Sequence, residues 1–232
     1  LNLTLDLELQ KFAVKTLESY RNKREGGGAA LVAMDMTGGV LAMASVPIYD
    51  ASQFMGGISQ EEYAQLSDPK AGNPMLNRAV LGAYSPGSTF KIVTALAAVK
   101  AGFFNPYQTV LCRGYYDLGS FKPRCMGTHG AIAFHEAMTK SCNAYFMDLG
   151  IRAGIDNLRL AAKEVGLGLK TEIDLPVDRS GIFPTENFLR ARFKLKEDET
   201  PKWYKGDTAN VSIGQGYVLT TPMQMAILAQ TV

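Results

Sequence analysis

Features that would settle the class of this protein outright are missing from its 232 residues. No apolar run can cross a bilayer: the longest with helical character, residues 92–104, is interrupted by Lys100 and falls short of the roughly 20 residues a span requires. There is no Lys/Arg tract, and 24 basic against 22 acidic residues leave a net charge of +2, so charge gives no ground for a nucleic-acid partner or an anionic membrane surface. The first ten residues carry Asp6 and Glu8 with no basic stretch, which excludes a signal peptide. The chain does not open on methionine, and a piece of a longer polypeptide is the expectation. There is no internal repeat. Cysteine is scarce and odd in number, at three, so in an oxidising compartment at least one thiol lacks an intrachain disulfide partner.

A hydrophobic content of 47% with 20% charged residues is that of a globular chain, neither disordered nor fibrous. Leu7, Phe12, Val14, Leu17 and Tyr20 recur at helical spacing, predicting an amphipathic helix over 7–20 that ends in the polar run 21–25 and the break Gly26-Gly27-Gly28. Residues 29–34 and 40–45, separated by Asp35-Met36-Thr37-Gly38-Gly39, read as a β-hairpin ended by Pro47. Residues 51–77 are polar and rich in turn formers, a surface excursion returning to the core near Asn77-Arg78-Ala79. Helices are expected over 88–101, entered through Pro86-Gly87 and stopped by Gly102, over 134–140, 144–152 and 156–165, and from Pro222 onward. The charged stretch 190–203 reads as a solvated loop. One hairpin followed mainly by helices is an α+β arrangement.

Chemistry concentrates in Ser88-Thr89-Phe90-Lys91. A spacing of three is close to one helical turn, so hydroxyl and amine are neighbours on one face. A serine hydroxyl needs a base, and a lysine in a water-poor setting loses its proton readily enough to be one. Ser88 at the start of a helix also presents its own backbone N–H to an oxyanion. Ser141-Cys142-Asn143, between two expected helices, offers a second hydroxyl to relay a proton and a carboxamide to orient an amide. In isolation each pattern is also an ordinary cap or turn.

Cys112, Cys125, His129 and Cys142 form C-x12-C-x3-H-x12-C, using every cysteine and one of the two histidines. Three thiolates and an imidazole suit a structural Zn²⁺, and the glycines between them let a loop over residues 105–142 wrap an ion. One disulfide with a free thiol is the alternative, favoured by an oxidising compartment.

The run from Asn77 through Ser85-Pro86-Gly87-Ser88-Thr89-Phe90-Lys91, followed by Ser141-Cys142-Asn143, resembles the S-x-x-K and S-x-N motifs of penicillin-binding transpeptidases. The hairpin, Gly206-Asp207-Thr208 with Ile213-Gly214-Gln215-Gly216-Tyr217, and Thr221-Pro222-Met223-Gln224-Met225-Ala226 extend the resemblance over nearly the whole chain. Within the family, Trp203-Tyr204-Lys205-Gly206-Asp207-Thr208 and Gly214-Gln215-Gly216-Tyr217 are most similar to the elongation-type class B enzymes of the penicillin-binding protein 2 kind. The resemblance implies a serine β-lactamase/D,D-peptidase-like fold, an antiparallel sheet with helices on both sides. It also implies acyl transfer, with Ser88 as nucleophile, Lys91 as base, Ser141 relaying a proton and Asn143 holding the substrate amide. The implied substrates are peptidoglycan stem peptides, and β-lactams would acylate the same serine. No cofactor is implied for catalysis, although some relatives carry a metal in the region of the Cys/His set. Elongation-machinery membrane proteins are the implied partners, and the implied location is the periplasmic face of the cytoplasmic membrane, tethered by an N-terminal helix this chain lacks. A class D-like serine β-lactamase and a non-catalytic β-lactam sensor or scaffold are the competing readings. The third family motif, K-T-G, is absent: Lys170-Thr171-Glu172 and Thr37-Gly38-Gly39 do not match it. The expectation is therefore that 1–232 is a transpeptidase domain lacking its C-terminal strands, with impaired catalysis if the polypeptide ends there.

Overall fold

The computed structural model describes residues 2–22 and 27–232, so Lys23 to Gly26, within the expected polar run and glycine break, lie outside the described residues. In chain order the elements are α1 (Leu7–Asn22), β1 (Ala29–Met34), β2 (Val40–Val46), α2 (Gln60–Ser67), α3 (Lys91–Lys100), β3 (Val110–Cys112), β4 (Gly130–Ile132), α4 (Phe134–Thr139), α5 (Asn143–Glu164), α6 (Glu186–Phe193), α7 (Lys205–Val211) and α8 (Pro222–Thr231). They fall into two compact units. The first takes the chain up to Ala83, Leu169–Ser180 and Thr220–Val232, and the second takes Tyr84–Gly168 and Gly181–Leu219.

In the first unit β1 and β2 pair antiparallel from Ala29↔Val46 to Ala33↔Ala42, with an irregularity at Met34. The turn closes because Asp35 Oδ1 accepts from the N–H groups of Thr37 (2.8 Å) and Gly39 (2.9 Å) and from Thr37 Oγ1 (2.7 Å). α1 lays Leu9, Ala13, Val14 and Leu17 against Leu31, Ala33, Ala42 and Ala44, where small side chains on both partners permit close approach. Its Gln10 imitates a neighbouring strand: Nε2 donates to Met43 O (2.9 Å) and Oε1 accepts from Met43 N (2.8 Å). That satisfies both backbone groups of a residue that would otherwise sit on an open sheet edge.

Residues 51–77 hold α2, none of whose residues is buried, and two 3₁₀ turns. The excursion is tied back by Arg78, whose guanidinium is almost wholly buried and donates to Asn73 O (3.1 Å), Leu76 O (3.3 Å) and Gly72 O. Arg78→Ala strands Gly72 O, while Asn73 O keeps the Leu76 N–H (3.1 Å) and Leu76 O keeps the Ser45 hydroxyl (3.0 Å), and should cost about 1–3 kcal/mol in urea unfolding. Arg78→Lys should recover little of it, because an ammonium lacks the planar fork.

In the second unit α3 and α5 pack side by side with α7 against α5, over a core including Ala98, Ile132, Ala137, Phe146, Met147, Ala209 and Ile213. The two helices expected over 144–152 and 156–165 run end to end within α5, separated at Gly154, whose φ 80° and ψ 158° are not helical. The short strands β3 and β4 pair antiparallel from Val110↔Ile132 to Cys112↔Gly130. The stretch expected as a loop from Arg190 begins inside a helix instead. α6 is capped by Thr185, whose Oγ1 accepts from Phe188 N at 3.1 Å, and is supported by a Glu186–Arg190 pair at 3.1 Å. With Leu189 its one buried residue, α6 leaves almost no apolar periodicity to read.

Candidate active site

The segment Ser88-Thr89-Phe90-Lys91 lies in the second unit. Ser88 sits on a single 3₁₀ turn, Gly87–Phe90, that runs directly into α3 at Lys91, so the expected helix over 88–101 is a tight turn followed by an α-helix. Gly87 adopts a left-handed φ of +59°, which turns its N–H toward Gly214 O at 2.9 Å. Ser88 is exposed, while Lys91, three residues on, is 1% exposed.

Lys91 Nζ donates to Ser141 O (2.7 Å), Ser141 Oγ (2.8 Å) and Asn143 Oδ1 (2.8 Å), and Ser141 Oγ donates to Ser88 Oγ at 2.9 Å. The four residues singled out by the two motifs are thus brought into one hydrogen-bonded chain. Lys91 does not bond Ser88 itself; the contact runs through Ser141. Ser141 is held at φ +50° between α4 and α5, a conformation that lets its carbonyl and hydroxyl face the same ammonium. Asn143 is fixed at both ends of its amide, since Nδ2 donates to Arg124 O at 3.3 Å. Burial lowers the pKa of Lys91 below the ordinary lysine value, with the nearby Cys125 and Cys142 opposing. The Phe146 ring lies 5.5 Å from Nζ, an aromatic face toward the cation.

Beside this chain the Cys/His set converges. The ligand atoms of Cys112, Cys125, His129 and Cys142 all lie within 4.8 Å of one another. Cys112 Sγ and Cys125 Sγ are 3.5 and 3.6 Å from His129 Nδ1, and Cys125 Sγ is 3.8 Å from Cys142 Sγ. Bond lengths of about 2.3 Å to sulfur and 2.05 Å to nitrogen make the edges of a tetrahedral zinc site about 3.8 Å (S···S) and 3.6 Å (S···N). These three separations match those edges, and all three cysteines are free. Burial acts to raise the Cys125 thiol, but the N–H groups of Ala144, Gly127 and Asn143 and the Cys112 side chain outweigh it and bring the pKa down to about 6. Cys142, buried and facing Cys125, is pushed up to about 12. The set adjoins the loop that carries Ser141 and Asn143: Cys142 stands between them, and Asn143 N donates to Cys125 Sγ at 3.2 Å.

Residues 28–232 match the family model of the penicillin binding protein transpeptidase domain. The chain belongs to this family. Among curated relatives it is 38% identical over 230 residues to the peptidoglycan D,D-transpeptidase MrdA of Escherichia coli K12, covering 97% of this chain and 34% of the relative. It is 34% identical to MrdA of Acinetobacter baumannii, covering 98% of this chain and 32% of the relative. Among solved structures, PBP2 of Pseudomonas aeruginosa in complex with WCK 5153 superposes with a TM-score of 0.84 at 34% identity, over 98% of this chain and 50% of that one. PBP2 of Helicobacter pylori in its complex with MreC gives 0.83 at 34% identity, over 95% and 39%. The chain therefore spans about a third of the length of the curated relatives it matches. The α+β fold expected from the sequence agrees with these structural relatives.

Sequence reasoning missed three contributors to this transpeptidase site. Phe146 and the Arg124 carbonyl act across loops and leave no local signal. Gly214 meets the Gly87–Phe90 turn backbone to backbone: a Cβ there would lie 2.2 Å from Gly87 O. Its signal was the Gly-Gln-Gly run, read only as part of the resemblance.

Proposed function

We propose that this chain is the acyl-transfer unit of an elongation-type peptidoglycan D,D-transpeptidase. The observation that carries the reading is the continuous chain Lys91 Nζ–Ser141 Oγ–Ser88 Oγ ending on an exposed hydroxyl. With three acceptors around it, Nζ is satisfied as an ammonium in the resting site. When Lys91 is neutral the Ser141 bond reverses: Ser141 gives its proton to Nζ and takes that of Ser88. Ser88 Oγ then bonds to the penultimate D-Ala carbonyl carbon of a stem peptide, the C–N bond breaks, and the departing D-Ala amine takes the proton back through Ser141. An amine of a neighbouring strand attacks the ester, forms the cross-link and returns Ser88 to its hydroxyl. Asn143, its Oδ1 on Lys91 and its Nδ2 on Arg124 O, has one Nδ2 proton left for the substrate amide.

The same reading makes β-lactams acylating agents of Ser88 and places the enzyme on the periplasmic side of the cytoplasmic membrane. No helix among the described residues is long and apolar enough to cross a membrane, so the tether would lie elsewhere in the protein. Elongation-machinery proteins are the proposed partners, supported by the MreC complex of the Helicobacter pylori relative and by a structural neighbour described as a peptidoglycan synthase complex. We assign Cys112, Cys125, His129 and Cys142 as ligands of a structural zinc; when bound it would brace the loop that carries Ser141 and Asn143, with no part in bond breaking.

Incubation with a fluorescent penicillin, followed by intact mass, tests the reading. A long-lived adduct on Ser88, absent in Ser88→Ala, is the expected result. Rapid release of hydrolysed drug would assign a β-lactamase, and an adduct with no cross-linking of stem peptides a sensor. The 232 residues contain no Lys-Thr-Gly triplet, so a polypeptide extended to the relatives' length is assayed alongside and should acylate faster.

A further inference from the structure

A buried seam beneath the nucleophile ties its two ends together. Thr94, fully buried on α3, donates from Oγ1 to Ser212 O at 2.8 Å. Ser212, also fully buried, donates its own hydroxyl to Thr208 O of α7 at 2.6 Å. Two residues on, Gly214 O accepts the N–H of Gly87, the residue before Ser88. The path Thr94–Ser212–Gly214–Gly87–Ser88 and back along α3 is a closed ring of covalent and hydrogen bonds containing both Ser88 and Lys91.

The ring admits little slack. Gly214 has φ +67°, and a Cβ on it would fall 2.2 Å from Gly87 O, 2.7 Å from Gly87 N and 2.7 Å from Phe90 Cβ, so the nucleophile turn rests on bare backbone. α5, which begins at Asn143, meets the same seam: a Cβ on Gly150 would lie 1.8 Å from Ser212 Oγ and 3.3 Å from Thr94 Cγ2. Thr94 stands three residues after Lys91, on the same face of α3. The elements that bear Ser88, Lys91 and Asn143 are therefore all packed on Ser212 and its neighbours.

We propose that Thr94, Ser212 and Gly214 are positioning residues that set Ser88 Oγ within hydrogen-bond reach of Ser141, so that losing the Thr94–Ser212 bond lowers the rate of acylation without altering capture of the ligand. The inference rests on Ser88 being the nucleophile. The 2.9 Å Ser141–Ser88 contact is the link through which the base acts, and a displacement of about 1 Å is enough to cost a large factor in rate. Removing the hydroxyl frees the 212–214 strap at one end and leaves Ser212 O unpaired.

The test separates the non-covalent affinity for a fluorescent penicillin from the first-order acylation rate, by stopped flow, in the parent, Thr94→Val and Thr94→Ser. Thr94→Val should acylate about tenfold more slowly with affinity changed less than twofold, and Thr94→Ser, which keeps the hydroxyl, should return to within about threefold of the parent. Gly214→Ala should be slower still, and Thr94→Val carries the test if that variant does not fold. An unchanged rate in Thr94→Val, a loss Thr94→Ser does not recover, or a parallel loss of affinity would each overturn the inference while the Ser88 adduct in the parent leaves the functional reading standing. No Ser88 adduct in either the parent or the polypeptide extended to the relatives' length would overturn both.

Discussion

Lys91→Met should acylate with penicillin at least about a thousandfold more slowly than the parent, the upper part of the range for loss of a general base. Met reproduces the four-atom apolar stem of Lys91, so most of the buried volume survives while the charge and the bonds to Ser141 and Asn143 go. The pH profile supplies the sharper readout. Burial disfavours the ammonium, so its pKa is lowered from 10.5. The neutral amine is the active form, and the acylation rate should rise with pH and level off below the pH at which an ordinary lysine loses its proton. In Lys91→Met that limb should vanish, leaving a flat, low rate. A rise retained in the variant, or a loss smaller than tenfold, would assign the base to another group.

Zinc removal should have the largest effect on stability. The protein as isolated should carry about one zinc per chain, and free zinc at a thousandfold excess over its Kd should stabilise the fold by about 4 kcal/mol relative to the chelated protein. In a chain of this size that is roughly 8–16 °C in Tm. Cys112→Ser and His129→Ala should lower both the zinc content and the Tm. Acylation should fall together with the metal, because Cys142 separates Ser141 from Asn143 and Cys125 holds the Asn143 N–H. The opposing result is specific: metal-free protein with an unchanged Tm and one titratable thiol out of three would mean that two of the cysteines form a disulfide.

These expectations draw on different depths of the chain. The pattern of apolar residues was enough to place α1, the β1–β2 hairpin, α4 and α8, because each satisfies its backbone within a short stretch, and Pro47 and Thr221-Pro222 mark the end of the hairpin and the start of α8. It failed at β3 and β4, three residues each, whose pairing depends on partners about 20 positions apart in sequence. It failed again at α6, where a single buried residue leaves no periodicity. The Cys/His set was legible as a list of donors, whereas their convergence within 4.8 Å was not, since twelve-residue spacings carry no geometry of their own.

By itself the sequence determined which groups are available: the hydroxyl and amine of Ser88-Thr89-Phe90-Lys91, held one turn apart, the Ser141-Cys142-Asn143 triplet, and four metal-binding side chains. Local spacing is enough there because helical geometry converts a separation of three into adjacency. The tertiary structure decided how these groups are wired. It made Ser141, 53 positions from Ser88, the hydrogen-bonded link between Ser88 and Lys91. It buried Lys91, which weakens its hold on a proton, and set the turn that carries Ser88 on the backbone of Gly214. Burial and contact between distant segments exist only once the core has closed, and for that reason no local pattern announces them.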